Sequence, residues 1–132
     1  LSTIINSSAY FDKISSTHNR RNFMTAYQYI PNLAETIPVL PPDSILSRTL
    51  HEADGVRTVL FNFAPGQELS EHTASMPAVL WFVQGEADLT LGTDHVSAQA
   101  GTWVQMPPNL PHSVHAKTPV VMLLLLIRSA AP

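Results

Sequence analysis

Cysteine is absent from the 132-residue chain, which removes disulfides, thiolate metal sites and thiol nucleophiles together. The fold must be held by burial alone, and a chain near the usual size of one domain can supply that. Charge is scarce too: 13% of residues are Asp, Glu, Lys or Arg, against roughly a quarter in an average soluble domain. Seven basic and ten acidic residues give a formal charge of -3, and no basic cluster exceeds Arg20-Arg21. Nucleic acid is therefore set aside as a partner. The longest apolar run, 120–127, falls far short of the roughly 20 residues of a membrane-spanning helix. It reads as a buried strand, and no membrane partner is expected. The N-terminus has neither the basic start nor the apolar stretch of a secretion signal, so the expected location is the cytoplasm. The five glycines are spread singly, which excludes a phosphate-cradling Gly-rich loop, and no serine sits in a Gly-x-Ser-x-Gly elbow.

What is abundant is apolar residues, 45% of the chain. Residues 1–23 are rich in Ser, Thr and Asn and show no sustained period, so they read as an irregular N-terminal extension ahead of one domain, 24–132. Ile4, Ile5, Tyr10, Phe11 and Ile14 are its candidates for docking on that domain. Pro31, Pro38, Pro41 and Pro42 then allow at most a short helical turn near 33–36. Beyond them the pattern is short β-type runs between turn signals, the mark of an all-β sandwich or barrel. Strands are predicted over 45–51, 56–63, 68–73, 78–84, 87–91, 95–99, 102–106, 112–115 and 120–127. Asp54-Gly55 marks a two-residue hairpin, because both residue types accept the positive φ that such turns need. The runs 78–83 and 120–127 are apolar at nearly every position, so both faces of those strands must be covered. The outer face, with Trp81 on it, is expected to meet a second copy of the chain in a homodimer; the alternative cover is the N-terminal extension.

Two spacings carry the chemistry. Gly66 is followed after five residues by His72, and Ala78 after six residues by Gly85; Gly101 leads after five residues to Pro107, with His112 beyond it. These frames resemble the two sequence motifs of the cupin family. The first runs Gly, five residues, His-x-His, three or four residues, Glu, six residues, Gly. The second runs Gly, five residues, Pro-x-Gly, two residues, His, three residues, Asn. The resemblance implies a double-stranded β-helix, or jelly-roll barrel, with His72 and His112 brought to one interior pocket as the catalytic and metal-ligating residues. It further implies a divalent transition metal (zinc, iron, nickel or manganese) and a small organic molecule as ligand. The sequence departs from the family pattern at Ala74 and Ala78, which replace the second His and the Glu of the first motif. It departs again at Asn109 and Ala116, which replace the Gly and Asn of the second.

Two imidazoles alone make a weak metal site, since a protein-held transition metal usually takes at least three side-chain ligands. The candidates for a third are Gln67, Glu68, Glu71, Gln105 and His51, or a residue of another chain. Glu71 adjoins His72 and points to the other face of a regular strand, so only a bulge could bring it inward. His115 stands in the same relation to His112, and His18 and His95 have no motif behind them. Trp81 and Trp103 read as packing residues and Met76, Met106 and Met122 as core. Three functions stay open: an enzyme working with metal (oxygenase, isomerase or decarboxylase) or through histidine acid–base chemistry; a non-catalytic, metal-free binding or sensing module whose cavity Ala74 and Ala78 enlarge; and a purely architectural barrel with a packed interior.

Overall fold

A computed structural model describes residues 4–6, 27–37 and 39–128. Its strands are β1 (Ile4–Asn6), β2 (Ile45–Ala53), β3 (Val56–Phe63), β4 (Glu68–His72), β5 (Ala78–Gln84), β6 (Ala87–Leu91), β7 (Asp94–Ala98), β8 (Trp103–Met106), β9 (His112–Ala116) and β10 (Val120–Ile127). They form a six-stranded sheet, β1-β2-β3-β10-β5-β8, and a four-stranded sheet, β4-β9-β6-β7. All pairings are antiparallel except that of β1 with β2. The chain adopts the all-β architecture expected from the turn spacing, in the jelly-roll form that the motif resemblance implies. Each of the nine strands read from the sequence lies within two residues of its expected bounds. The tenth, β1, falls where no strand was expected, and pairs Ile4 with Ile45 and Asn6 with Ser47. Tyr10, Phe11 and Ile14 lie outside the described residues.

The turns are placed by residues that tolerate unusual backbone. Asp54 (φ 55°) and Gly55 (φ 81°) join β2 to β3, as the Asp-Gly pair requires. At Gly85 (φ 92°) an added Cβ would collide with the Pro119 carbonyl oxygen and lie 2.9 Å from the Val120 Cα, so only glycine fits between β5 and the start of β10. Asn32 caps a 3-10 turn, Leu33–Glu35, with its side-chain oxygen accepting from the Ala34 amide at 3.0 Å.

Strand alternation sorts the side chains into two faces. Phe61 and Phe63 of β3, Met122, Leu124 and Leu126 of β10, and Ala78, Leu80 and Phe82 of β5 share the inner face of the larger sheet. They pack against Ala87, Leu89, Ala98, Val114 and Ala116 of the smaller sheet in one apolar cluster. Phe63, Phe82, Leu89 and Met122 are almost fully buried, and each large apolar side chain so enclosed contributes about 1.5–3 kcal/mol. On the outer face of the larger sheet, Leu50, Leu60 and Val121 are buried in a second cluster with Ile30, Leu33 and Ala34, while Ile37 and Leu40 close over Leu46. Cover from within the chain thus comes in part from the segment that includes the 3-10 turn. It leaves Trp81 (53% exposed) and Trp103 (62% exposed) in the open, directly opposite each other on β5 and β8. The packing role expected for both indoles is not met within one chain.

Candidate functional site

The barrel has two unlike ends. At one, Phe63, Phe82, Ala116, Val120 and Met122 are enclosed almost completely. At the other, Leu69, Leu91, Leu110, Leu124 and Leu126 pack on the same core yet stay partly accessible. The open end is where β4 finishes at His72, where β9 begins at His112, and where the loops 73–77 and 107–111 meet. The Asn109 amide donates to the Ala74 carbonyl at 2.7 Å and ties the two loops together. Asn109 has φ 67°, so it keeps the left-handed backbone that the motif glycine would supply, and asparagine is among the residues that do so most readily.

His72 and His112 come together there. They are register partners on β4 and β9, and their ring centroids lie 4.2 Å apart with planes inclined at 57°. A bulge makes this possible. Leu69 pairs with Val114 and His72 with His112, so three steps along β4 match two along β9. Without the extra residue, alternation from the inward Leu69 would turn Glu71 inward and His72 out. The bulge anticipated as Glu71's route to the site delivers His72 instead, and Glu71 is exposed.

The rings differ in setting but share one constraint. His112 is buried, at 6% exposure, and His72 lies at the exposed rim. The Nδ1 of His72 is 2.9 Å from the Ser70 carbonyl oxygen, and that of His112 is 2.8 Å from the Leu110 carbonyl oxygen. A carbonyl oxygen only accepts, so Nδ1 is the donor in each ring, and a ring in its neutral form leaves Nε2 as the acceptor. Burial pushes the pKa of His112 below the ordinary histidine value. Its hydrogen bond to Leu110 partly offsets this, and the charge of His72 adds to it. His112 is thus a neutral imidazole at neutral pH, offering Nε2 as an acceptor or a base.

The third ligand that a resident metal needs is not supplied by any of the sequence candidates. Glu68 stands 3.6 Å from His115, on the parity opposite to Leu69 and hence outside the barrel. Gln105 shares the outer face of β8 with Trp103, across from Val79. His51 is exposed on β2. Gln67 is buried, but it is bonded through its backbone to Ala116, at the far end of β9 from His112. Ala78 presents only a methyl to the core. Among the described residues no group of three His, Asp or Glu side chains is disposed to hold a metal ion. Among the described residues of one chain the donor set does not fit a resident transition metal, and metal ligation by His72 and His112, as implied by the resemblance, finds no third side-chain ligand there.

The mouth also holds residues that the sequence reading passed over. A cavity of about 460 Å³ is lined by Glu52, Asp54 and Arg57 of the β2–β3 hairpin, by Met76 and Leu126, and by Arg128. Met76 therefore borders open space instead of filling core, while Met106 and Met122 are buried as expected. No residue of this rim belongs to a motif; only the strand register, which pairs Arg57 with Leu126, brings it to the open end.

The cupin-domain family profile matches residues 59–127, a little over half of the chain, and the matched segment contains both histidines. The chain belongs to the cupin family. Solved structures agree with that placement. A cupin-superfamily protein of Desulfitobacterium hafniense superposes with a TM-score of 0.69 at 23% identity, over 78% of this chain and 94% of that one, and bears on the fold alone. A conserved protein of unknown function from Streptococcus pyogenes gives 0.64 at 28% identity, over 81% of this cupin and all (100%) of its own chain. The cupin 2 conserved barrel domain protein of Leptotrichia buccalis gives 0.67 at 28% identity, over 74% of this cupin and 47% of that chain. No curated protein matches the cupin in sequence. Among its described residues no helix is long and apolar enough to cross a membrane.

Proposed function

We propose that this cupin binds a small organic molecule in the open end of its barrel through the Nε2 atoms of His72 and His112, and moves a proton on that molecule without a resident metal. The observation that carries the reading is the pair of contacting imidazoles, each tied through Nδ1 to a backbone carbonyl. Such anchoring fixes the tautomer and the direction of the free nitrogen, which is what a general base needs. A proton taken by Nε2 of His112 and returned to a neighbouring atom of the same molecule is an isomerisation that needs no other reactant. Oxygenation and metal-assisted decarboxylation call for a fuller ligand set than the two imidazoles provide.

Ala78, inward-facing and almost fully buried, favours a second reading in which the apolar wall holds a ligand and no bond changes. One set of measurements separates these readings. Elemental analysis of untagged protein is expected to find metal well below one equivalent. Ring nitrogen spectra are expected to show Nδ1–H for both histidines and to shift when a small-molecule library contains a ligand. Turnover of that ligand, falling about 100-fold in His112→Gln, supports proton transfer, whereas recovery of the ligand unchanged supports the binding reading. One equivalent of a tightly held metal sinks both. Trp81 and Trp103 support a further element of the reading, a homodimer joined across the outer face of the larger sheet.

A further inference from the structure

The cavity at the barrel end toward which β4 and β9 carry the histidines is lined by two guanidinium groups with no assigned task, Arg57 and Arg128. Among the described residues neither takes part in an ion pair, although Glu52 and Asp54 line the same space. Arg57 stands in one cross-strand row with Glu52, Leu126 and Ala78. Leu126 and Ala78 face the barrel interior, so alternation across the row puts Arg57 on the interior side of the mouth. Ala78 is two strands away, about 10 Å at the ordinary spacing between strands. One Nη2 hydrogen of Arg57 is directed by the Thr49 hydroxyl, which accepts from it at 3.3 Å. That contact orients the planar fork and leaves most of its five N–H donors for something else.

We propose that the molecule handled by the His72–His112 pair is a small organic acid, and that Arg57 is the residue that recognises its carboxylate. This rests on the reading of the two histidines as a small-molecule site and names the class of molecule that the site takes. A guanidinium fork held by Thr49 matches the planar, two-oxygen acceptor of a carboxylate. Two guanidiniums and two carboxylates balance in the cavity, so selection falls to the geometry of the fork and not to a net positive charge. Leu126 and Met76 supply apolar wall between the fork and the core, which suits a short carbon skeleton spanning from Arg57 toward the imidazoles.

The test uses the whole chain and four defined acids, benzoate, 4-hydroxybenzoate, pyruvate and 3-hydroxybutyrate, each beside its primary amide. Binding is followed by calorimetry and by the histidine ring nitrogen signals. At least one acid is expected to bind about tenfold or more tighter than its amide, the worth of one charge-assisted contact. Arg57→Gln is expected to erase that ratio by weakening the acid alone, Arg57→Lys to restore it in part, and Glu52→Gln to tighten the acid. Equal binding of acid and amide, a ratio that survives Arg57→Gln, or no binding of any acid to the unaltered chain would overturn the proposal. An amide that shifts the His72 and His112 signals as well as its acid leaves the histidine site standing and removes Arg57 from it. An acid that depends on Arg57 yet leaves both ring signals and the affinity of His112→Gln unchanged does the reverse.

Discussion

His112 is the residue at which sequence, burial and chemistry meet. Its motif position marks it out, its burial keeps it neutral, and the Leu110 carbonyl decides which nitrogen is free. The depressed pKa has a consequence for stability. Between the lowered folded value and the ordinary value near 6.5 of an unfolded chain, the unfolded state binds more protons than the folded one. Stability therefore rises with pH through that window, is complete above about 6.5, and declines as the pH falls toward the folded value. Urea unfolding at about pH 7.5 and about pH 5.5 should show a larger acid-side loss for the unaltered cupin than for His112→Gln, which has no imidazole at this position to charge. The histidines remote from this pair are common to both proteins and drop out of the difference. Equal losses in the two proteins would mean that the buried ring costs nothing to protonate, and the neutral-base role would go with it.

The elements show which features a sequence can declare and which it cannot. Asp54-Gly55, Gly85, Gly92, Gly101 and Pro107-Pro108 end their runs for local reasons, so the strands between them were legible from residue type and spacing. Gly85 is the strictest of these, because its positive φ and the nearby Pro119–Val120 backbone both forbid a side chain. Gly85→Ala should cost about 3 kcal/mol or more, measured by denaturant unfolding, whereas Gly101→Ala, with open space at its Cβ, should cost only the backbone strain. Comparable losses at the two positions would refute the clash. The bulge in β4 was not legible in the same way. Its effect is to reverse the parity of His72 relative to Leu69, and no local residue announces it; the motif spacing pointed to His72 while plain alternation pointed away. β1 lay hidden for another reason, since three residues are too few to show a period. The missing third ligand followed from register: Gln105 and Glu68 are the right residue types on the wrong face. Arg57 escaped notice because it precedes both motifs, and only its pairing with Leu126 places it at the barrel mouth.

At the scale of the molecule, the sheets divide their labour by face. The inner faces close one end and leave the other more accessible, and the histidine pair lies at the accessible end. The outer face of the larger sheet is apolar along β10 and β5, and the segment holding the 3-10 turn covers its β2–β3–β10 side. What it leaves is the cross-strand row of Trp81 and Trp103, with both indoles more than half exposed. Adjacent exposed tryptophans on a flat sheet are what interfaces are enriched in and what a lone soluble domain rarely displays. Their strands run antiparallel, so a second copy related by a two-fold axis can lay the same row against itself. Sedimentation at micromolar concentration should therefore give twice the chain mass. The double substitution Trp81→Glu with Trp103→Glu should give a monomer whose far-UV spectrum is unchanged, because exposed side chains contribute little to the fold of one chain. The indole fluorescence of the unaltered cupin should shift to longer wavelength on dilution as the row is uncovered. A chain that sediments as a monomer at every concentration, with emission that does not move, would leave the two indoles without a partner of their own kind.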